Sequence, residues 1–97
     1  MKIEGFDWDF GNLKKIKKHG LEIDQIEDFL NSDPFVWMDE GHSQFETRFI
    51  AFGGYEDKYL FVAFTLRAMG RVLKLRVISA RYARKREMEK FYEKKRS

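Results

Sequence analysis

The sequence predicts an α+β domain of order β-α-α-β-β-β-β-α, with an antiparallel sheet and helices packed on it. Three observations predict it. Apolar residues recur at helical spacing between 9 and 30, the period changes to two after Pro34, and a basic stretch at the C-terminus returns to helical spacing. At 97 residues the chain has room for one domain, and its 10 phenylalanines can fill a small core without cross-links.

The first strand is expected over Lys2 to Phe6, with Ile3 facing inward. Asp7 or Asp9 offers an N-cap for a helix running through Lys18, striped by Leu13 and Ile16. Gly20 stops it, because glycine enters the left-handed C-cap without steric cost. A second helix spans about Glu22 to Leu30, with Ile23, Ile26, Phe29 and Leu30 on one face, and Asn31 to Pro34 end it. Phe35 to Met38 is a short strand, and DEGHS (Asp39 to Ser43) is a turn. Three longer strands follow over Phe45–Phe52, Tyr59–Arg67 and Val72–Ala80, joined by hairpin turns at GGYEDK and AMGR. The last helix covers about Ala83 to Lys95, with Met88, Phe91 and Tyr92 on one side.

Composition excludes several classes. With no cysteine there is neither a disulfide nor a thiolate metal site. No run approaches the roughly 20 apolar residues of a membrane-spanning helix, and the N-terminus lacks the uninterrupted apolar block of a secretory signal. The expected location is cytoplasmic. Net charge is +3, but residues 1–57 hold 6 Lys or Arg against 13 Asp or Glu, and residues 58–97 hold 13 against 3. Such asymmetry suits either an anionic partner for the C-terminal half or attraction between the two halves.

Alternation assigns the sheet faces. Leu73, Leu75 and Val77, with Leu60, Val62, Phe64 and Leu66, form the core side, joined by Phe45, Phe49 and Ala51. If AMGR is a four-residue turn, Arg67 pairs with Val72, Thr65 with Lys74 and Ala63 with Arg76. If GGYEDK sets Phe52 opposite Tyr59, Glu46 faces Thr65 and Arg48 faces Ala63. Glu46, Arg48, Thr65, Arg67, Lys74 and Arg76 then share one patch on the second face. Arginine forks bind phosphate oxygens, and Tyr59 or Phe61 could stack on a base. A charged, solvated sheet face with Glu46 pairing its arginine neighbours is the simpler alternative. By the same parity Arg81 falls on the core side if its strand continues. His19 reads as a C-terminal helix residue facing the dipole. His42, near Asp39, Glu40 and Glu46, faintly suggests a metal, but two dispersed histidines without fixed spacing make no zinc site.

The ordered motifs resemble the BrnT family of toxins. They are FDWD–GN (Phe6 to Asn12), KKHG (Lys17 to Gly20), Asp33-Pro34, and the spacing Asp39, His42, Glu46, Arg48. Thr65 and Arg67, RVISAR at Arg76 to Arg81, and a C-terminal helix carrying Glu and Tyr complete the set. LRAMGRV is slightly longer than the family's usual turn there, and LEIDQIEDF departs from its usual second-helix stretch. The resemblance spans nearly the whole chain, read as a single domain over 1–97. It implies a RelE-like fold and metal-independent RNA cleavage that blocks translation. It also implies a BrnA-like ribbon-helix-helix antitoxin, with operator DNA bound only through the complex. No cofactor is expected. Cleavage by the ribose 2′-hydroxyl needs a base, an acid and cations for the phosphorane. Arg48, Arg67 and Arg76 are the candidates for charge stabilisation, with Lys74 supporting. Glu46 is a candidate base, His19 and His42 are candidates for proton transfer, and Lys18, Arg81, Tyr59 and Tyr92 are candidates for substrate contact. The alternative is a non-catalytic module whose basic patch binds an acidic partner or nucleic acid.

Overall fold

Local signals fix the N-terminal elements of the computed structural model, which describes residues 3–96. Strand β1 (Ile3–Phe6) leads into helix α1 (Phe10–Lys18). The Asp9 carboxylate accepts from the Gly11 and Asn12 amides at 2.8 and 3.2 Å, an N-cap worth about 1 kcal/mol. At the other end Gly20 takes φ 81°, and its N–H bonds the Lys17 carbonyl while that of Leu21 bonds Ile16. This double closure is a Schellman motif, and its accompanying apolar pair, Ile16 and Leu21, is buried in the core. Helix α2 (Ile23–Asn31) starts where Gln25 reaches back to the Glu22 amide at 2.9 Å, and it buries Ile26 and Phe29 completely.

Strands β2 (Phe35–Met38), β3 (Arg48–Tyr55), β4 (Lys58–Met69) and β5 (Val72–Tyr82) form an antiparallel run. With β1 the sheet has order β1-β5-β4-β3-β2, and β1 alone runs parallel, alongside β5. Helices α1 and α2 cover the inner face, where Ile16, Leu21, Ile26 and Phe29 pack on Ala51, Leu60, Val62, Phe64, Leu75, Val77 and Ala80. Helix α3 (Lys85–Arg96) lies on the outer face. Its Phe91 stacks on Phe52 with centroids 4.5 Å apart, and Phe52 also meets Trp37, Tyr59 and Phe61.

Both hairpin turns are tighter than the sequence suggests. Tyr55 pairs with Lys58 and Met69 with Val72, which leaves two-residue loops at Glu56-Asp57 and Gly70-Arg71. Glu56 and Gly70 take φ 58° and 66°, the left-handed conformation that two-residue hairpins require. Each register therefore shifts by two: Thr65 faces Arg76, Arg67 faces Lys74, and Arg48 faces Thr65. A shift of two preserves parity, so the strand residues keep their faces.

Three further expectations change. Phe45 is 99% exposed rather than core, because β3 begins only at Arg48. The loop ahead of it is closed by Ser43 Oγ, which donates to the Asp39 carbonyl and accepts from the Arg48 amide. Ile3 sits on an edge strand and is half exposed, and Lys2 lies outside the described residues. Arg81 faces outward, because a β-bulge leaves Ile78 unpaired between Val77 and Ser79 and reverses the parity of the rest of β5. There its guanidinium grips the Glu87 carboxylate two-handed and lies 4.5 Å from the centre of the Phe61 ring.

Two consequences can be measured. Phe52→Ala should cost about 3–5 kcal/mol in denaturant unfolding and expose α3 amides to hydrogen exchange ahead of the sheet. Burial alone would raise the Glu87 carboxyl, but the Arg81 hydrogen bonds, the Arg84 amide and both positive charges outweigh it and lower its pKa. A lowered folded pKa stabilises above the ordinary carboxylate value and ceases to as pH falls through the folded value. Helix α3 should therefore loosen first in acid. Glu87→Gln should remove that acid dependence and cost about 1–3 kcal/mol at neutral pH.

Candidate active site

The strand pairings lay out the outer face as rows about 7 Å apart, two residues of strand rise. The first row runs Phe35, Phe52, Phe61, Arg81, and the second Trp37, Ile50, Ala63, Ser79. The third is Arg48, Thr65, Arg76, and the fourth pairs Arg67 with Lys74. Helix α3 stands over the first row through Phe91 and Glu87. The third and fourth rows carry four cations, with Arg67 exposed and the other three partly so.

Three of the four cations are held in different ways. Arg76 donates through Nε and Nη2 to one oxygen of Asp7 at 3.1 and 2.8 Å, and its Nη1 lies 4.0 Å from Asp9. Asp7 thus orients Arg76, while Asp9 is occupied in capping α1. The Asp7–Arg76 pair joins the acidic N-terminal half to the basic C-terminal half, so part of the charge asymmetry is answered within the fold. Lys74 lies across β1, its Nζ 3.3 Å from where a Cβ on Gly5 would stand. Arg48 Nε is shielded from solvent and has no hydrogen-bond partner, with the Glu46 carboxylate 3.8 Å away. A buried, unpaired N–H costs about 1–3 kcal/mol, which an anion placed there would recover. Thr65, between the two arginines, is 2% exposed and donates to the Thr47 carbonyl at 2.7 Å, so its hydroxyl serves the backbone.

One end of the third row opens into a hollow of about 320 Å³ lined by His42, Glu46 and Arg48, with Gly41, Gln44 and Phe45. Asp39 Oδ2 lies 2.9 Å from His42 Nδ1, which orients the ring and leaves Nε2 for other chemistry. The Asp39-to-His42 spacing is visible in the sequence, but only the short 3-10 turn Glu40–His42 turns it into an oriented pair beside an arginine. Among the described residues, no group of three His, Asp or Glu side chains is placed to hold a metal ion.

The remaining candidates lie elsewhere. Lys18 and His19 end α1, which packs on the inner face, whereas Arg48 and Arg76 are on the outer one. Tyr59 is six residues along β4 from Thr65, about 20 Å at strand rise, and it contacts Phe52 beneath α3. Tyr92 hydrogen-bonds Tyr59; that bond and its charge, then burial, raise the Tyr92 phenol above its ordinary value. Arg81 shares the outer face but is committed to Glu87. The residue that sequence reasoning misses is Asp7, which reads there only as an alternative helix cap. Nothing in local spacing signals its partner, 69 positions away.

Among the described residues, no helix is long and apolar enough to cross a membrane. A family model described as "Ribonuclease toxin, BrnT, of type II toxin-antitoxin system" matches residues 8–87, from the β1–α1 junction to the Glu87 that holds Arg81. No curated protein matches the chain significantly. The match spans most of the chain and every row of the outer face, and the chain belongs to the BrnT family of ribonuclease toxins of type II toxin-antitoxin systems.

Proposed function

We propose that the chain is an endoribonuclease that cuts RNA without a metal ion, by attack of the ribose 2′-hydroxyl on the adjacent phosphorus. The observation that carries this reading is Arg48 and Arg76 flanking Thr65, with Arg67 and Lys74 one row on and His42 and Glu46 at the end of the row. The cations supply positive charge where the phosphorane gathers negative charge, the contribution a metal would otherwise make. Arg48 and Arg76 contact the non-bridging oxygens, and Arg67 and Lys74 hold the flanking backbone. Asp7 is a positioning residue for Arg76.

The proton steps fall to the hollow. Glu46 and the Asp39-oriented His42 are the two groups beside Arg48 that can accept the 2′-hydroxyl proton, and an imidazole can return one to the leaving 5′-oxygen. His19, on the helical layer, has no part in this scheme. In the cell the reading gives a cytoplasmic enzyme that cleaves RNA and inhibits translation. Its neutralising partner is a BrnA-type antitoxin with a ribbon-helix-helix part, which carries the complex to operator DNA.

Arg48→Ala and Arg67→Ala should each lower the cleavage rate, Arg48→Ala by about 100- to 1,000-fold, with the unfolding midpoint little changed. Arg76→Lys keeps a charge for Asp7 but loses the fork, so activity should fall while the fold holds. His42→Ala should cost about 100-fold or more. Cleavage should persist in EDTA, leave 2′,3′-cyclic phosphate ends, and stop when the scissile nucleotide is 2′-deoxy. Loss in EDTA with recovery on adding Mg²⁺ would refute the metal-free mechanism. A folded protein that neither arrests growth nor cuts RNA would instead be a binding module.

A further inference from the structure

The outer face holds a second feature that the phosphate chemistry does not use. Between α3 and the Glu40–His42 turn lies a cleft of about 430 Å³, within the size range of small-ligand sites. Trp37, Ile50 and Phe61 line its floor. Asp39 and Glu40 stand on one rim, Glu87 and Lys90 on the other. Its floor belongs to the first two rows, and Ile50 is two residues, about 7 Å, from Arg48 of the third row along β3. The small side chains of Ala63 and Ser79 complete the second row and leave the sheet surface low between cleft and cations.

The chemistry of this cleft is opposite to that of the rows beside it. Its rim carries three carboxylates and one ammonium, a poor setting for a phosphate, while an apolar, aromatic floor suits a flat, uncharged ring. Asp39 is engaged by His42, and Glu87 by Arg81. Glu40 and Lys90 make no ion pair or side-chain hydrogen bond among the described residues, so an acceptor and a donor remain for a ligand. A nucleotide matches this polarity end for end, with its phosphate on Arg48 and Arg76 and its base one row away in the cleft.

We propose that the cleft is a nucleobase subsite and that it favours guanine beside the scissile phosphate. Guanine is the base that presents N–H donors for a carboxylate together with the O6 and N7 acceptors that lysine reads. Uracil offers one ring donor and no exocyclic amine. The inference rests on the ribonuclease reading above and adds a substrate preference to it.

Mapping cleavage sites across a random-sequence RNA pool tests the proposal. The wild-type protein should favour guanine over uracil beside the cut by about tenfold or more, and Glu40→Gln and Lys90→Met should each narrow that ratio to about threefold or less. A ratio unchanged in both variants, or no guanine preference in the wild type, overturns the subsite. A wild-type protein that cuts no RNA would refute the ribonuclease reading instead. The subsite is then decided by titrating guanosine 3′-monophosphate into ¹⁵N-labelled protein. The Trp37 indole N–H resonance should shift, more than with uridine 3′-monophosphate, while that of Trp8 should not. An unmoved Trp37 resonance overturns the proposal by that route as well.

Discussion

The outer face depends on one irregularity, the β-bulge that leaves Ile78 unpaired in β5. Before it, Leu75 and Val77 point into the core and Lys74 and Arg76 point out; after it, Ala80 points in and Arg81 out. A strand without the bulge would send Arg81 toward a core that offers no partner, where an unpaired charge is very costly. The bulge also falls where β1 no longer covers the edge of β5. The Asn12 amide fills that gap by donating to the Val77 carbonyl at 3.1 Å, which ties the first turn of α1 to the bulge.

That parity change sets the division of the face. Arg81 reaches Glu87, Glu87 also accepts from the Arg84 amide at 2.7 Å, and α3 is thereby anchored by its first turn over Phe61. Phe91, one turn beyond Glu87, seats against Phe52 and Phe35. The helix covers the aromatic end of the face and leaves the cationic end open. On the other edge Asp7, at the end of β1, reaches over to hold Arg76 on β5. The acidic N-terminal residues thus answer part of the basic surplus, while Arg67 and Lys74 face each other and make no ion pair among the described residues. A face that is covered at one end and cationic at the other is what a nucleotide, apolar at its base and anionic at its phosphate, can engage.

Much of this is legible in the sequence, and the failures have local causes. The Gly20 stop, the Asp9 cap and the Phe35–Met38 strand depend on signals within a few residues, so they read directly. Face assignments survive the wrong turn lengths because both errors are even. Contact assignments do not survive, because a turn's length depends on φ at Glu56 and Gly70, and Glu56 is no glycine. Arg81 is misplaced because a bulge has no signature in a run as regular as LRVISAR. His42 invites a metal reading because its neighbours in sequence are acids, yet in the fold Asp39 orients it beside Arg48. The ordered motifs carry the family, which no single patch residue could do.

The most direct test of the account is where a phosphate sits. A crystal structure with an RNA oligonucleotide blocked by a 2′-deoxy substitution at the scissile position would show it. The scissile phosphate should lie between Arg48 and Arg76, above Thr65, with Arg67 and Lys74 on the neighbouring backbone. Phosphates ordered instead along the exposed α1 lysines Lys14, Lys15, Lys17 and Lys18, with the outer face empty, would contradict it.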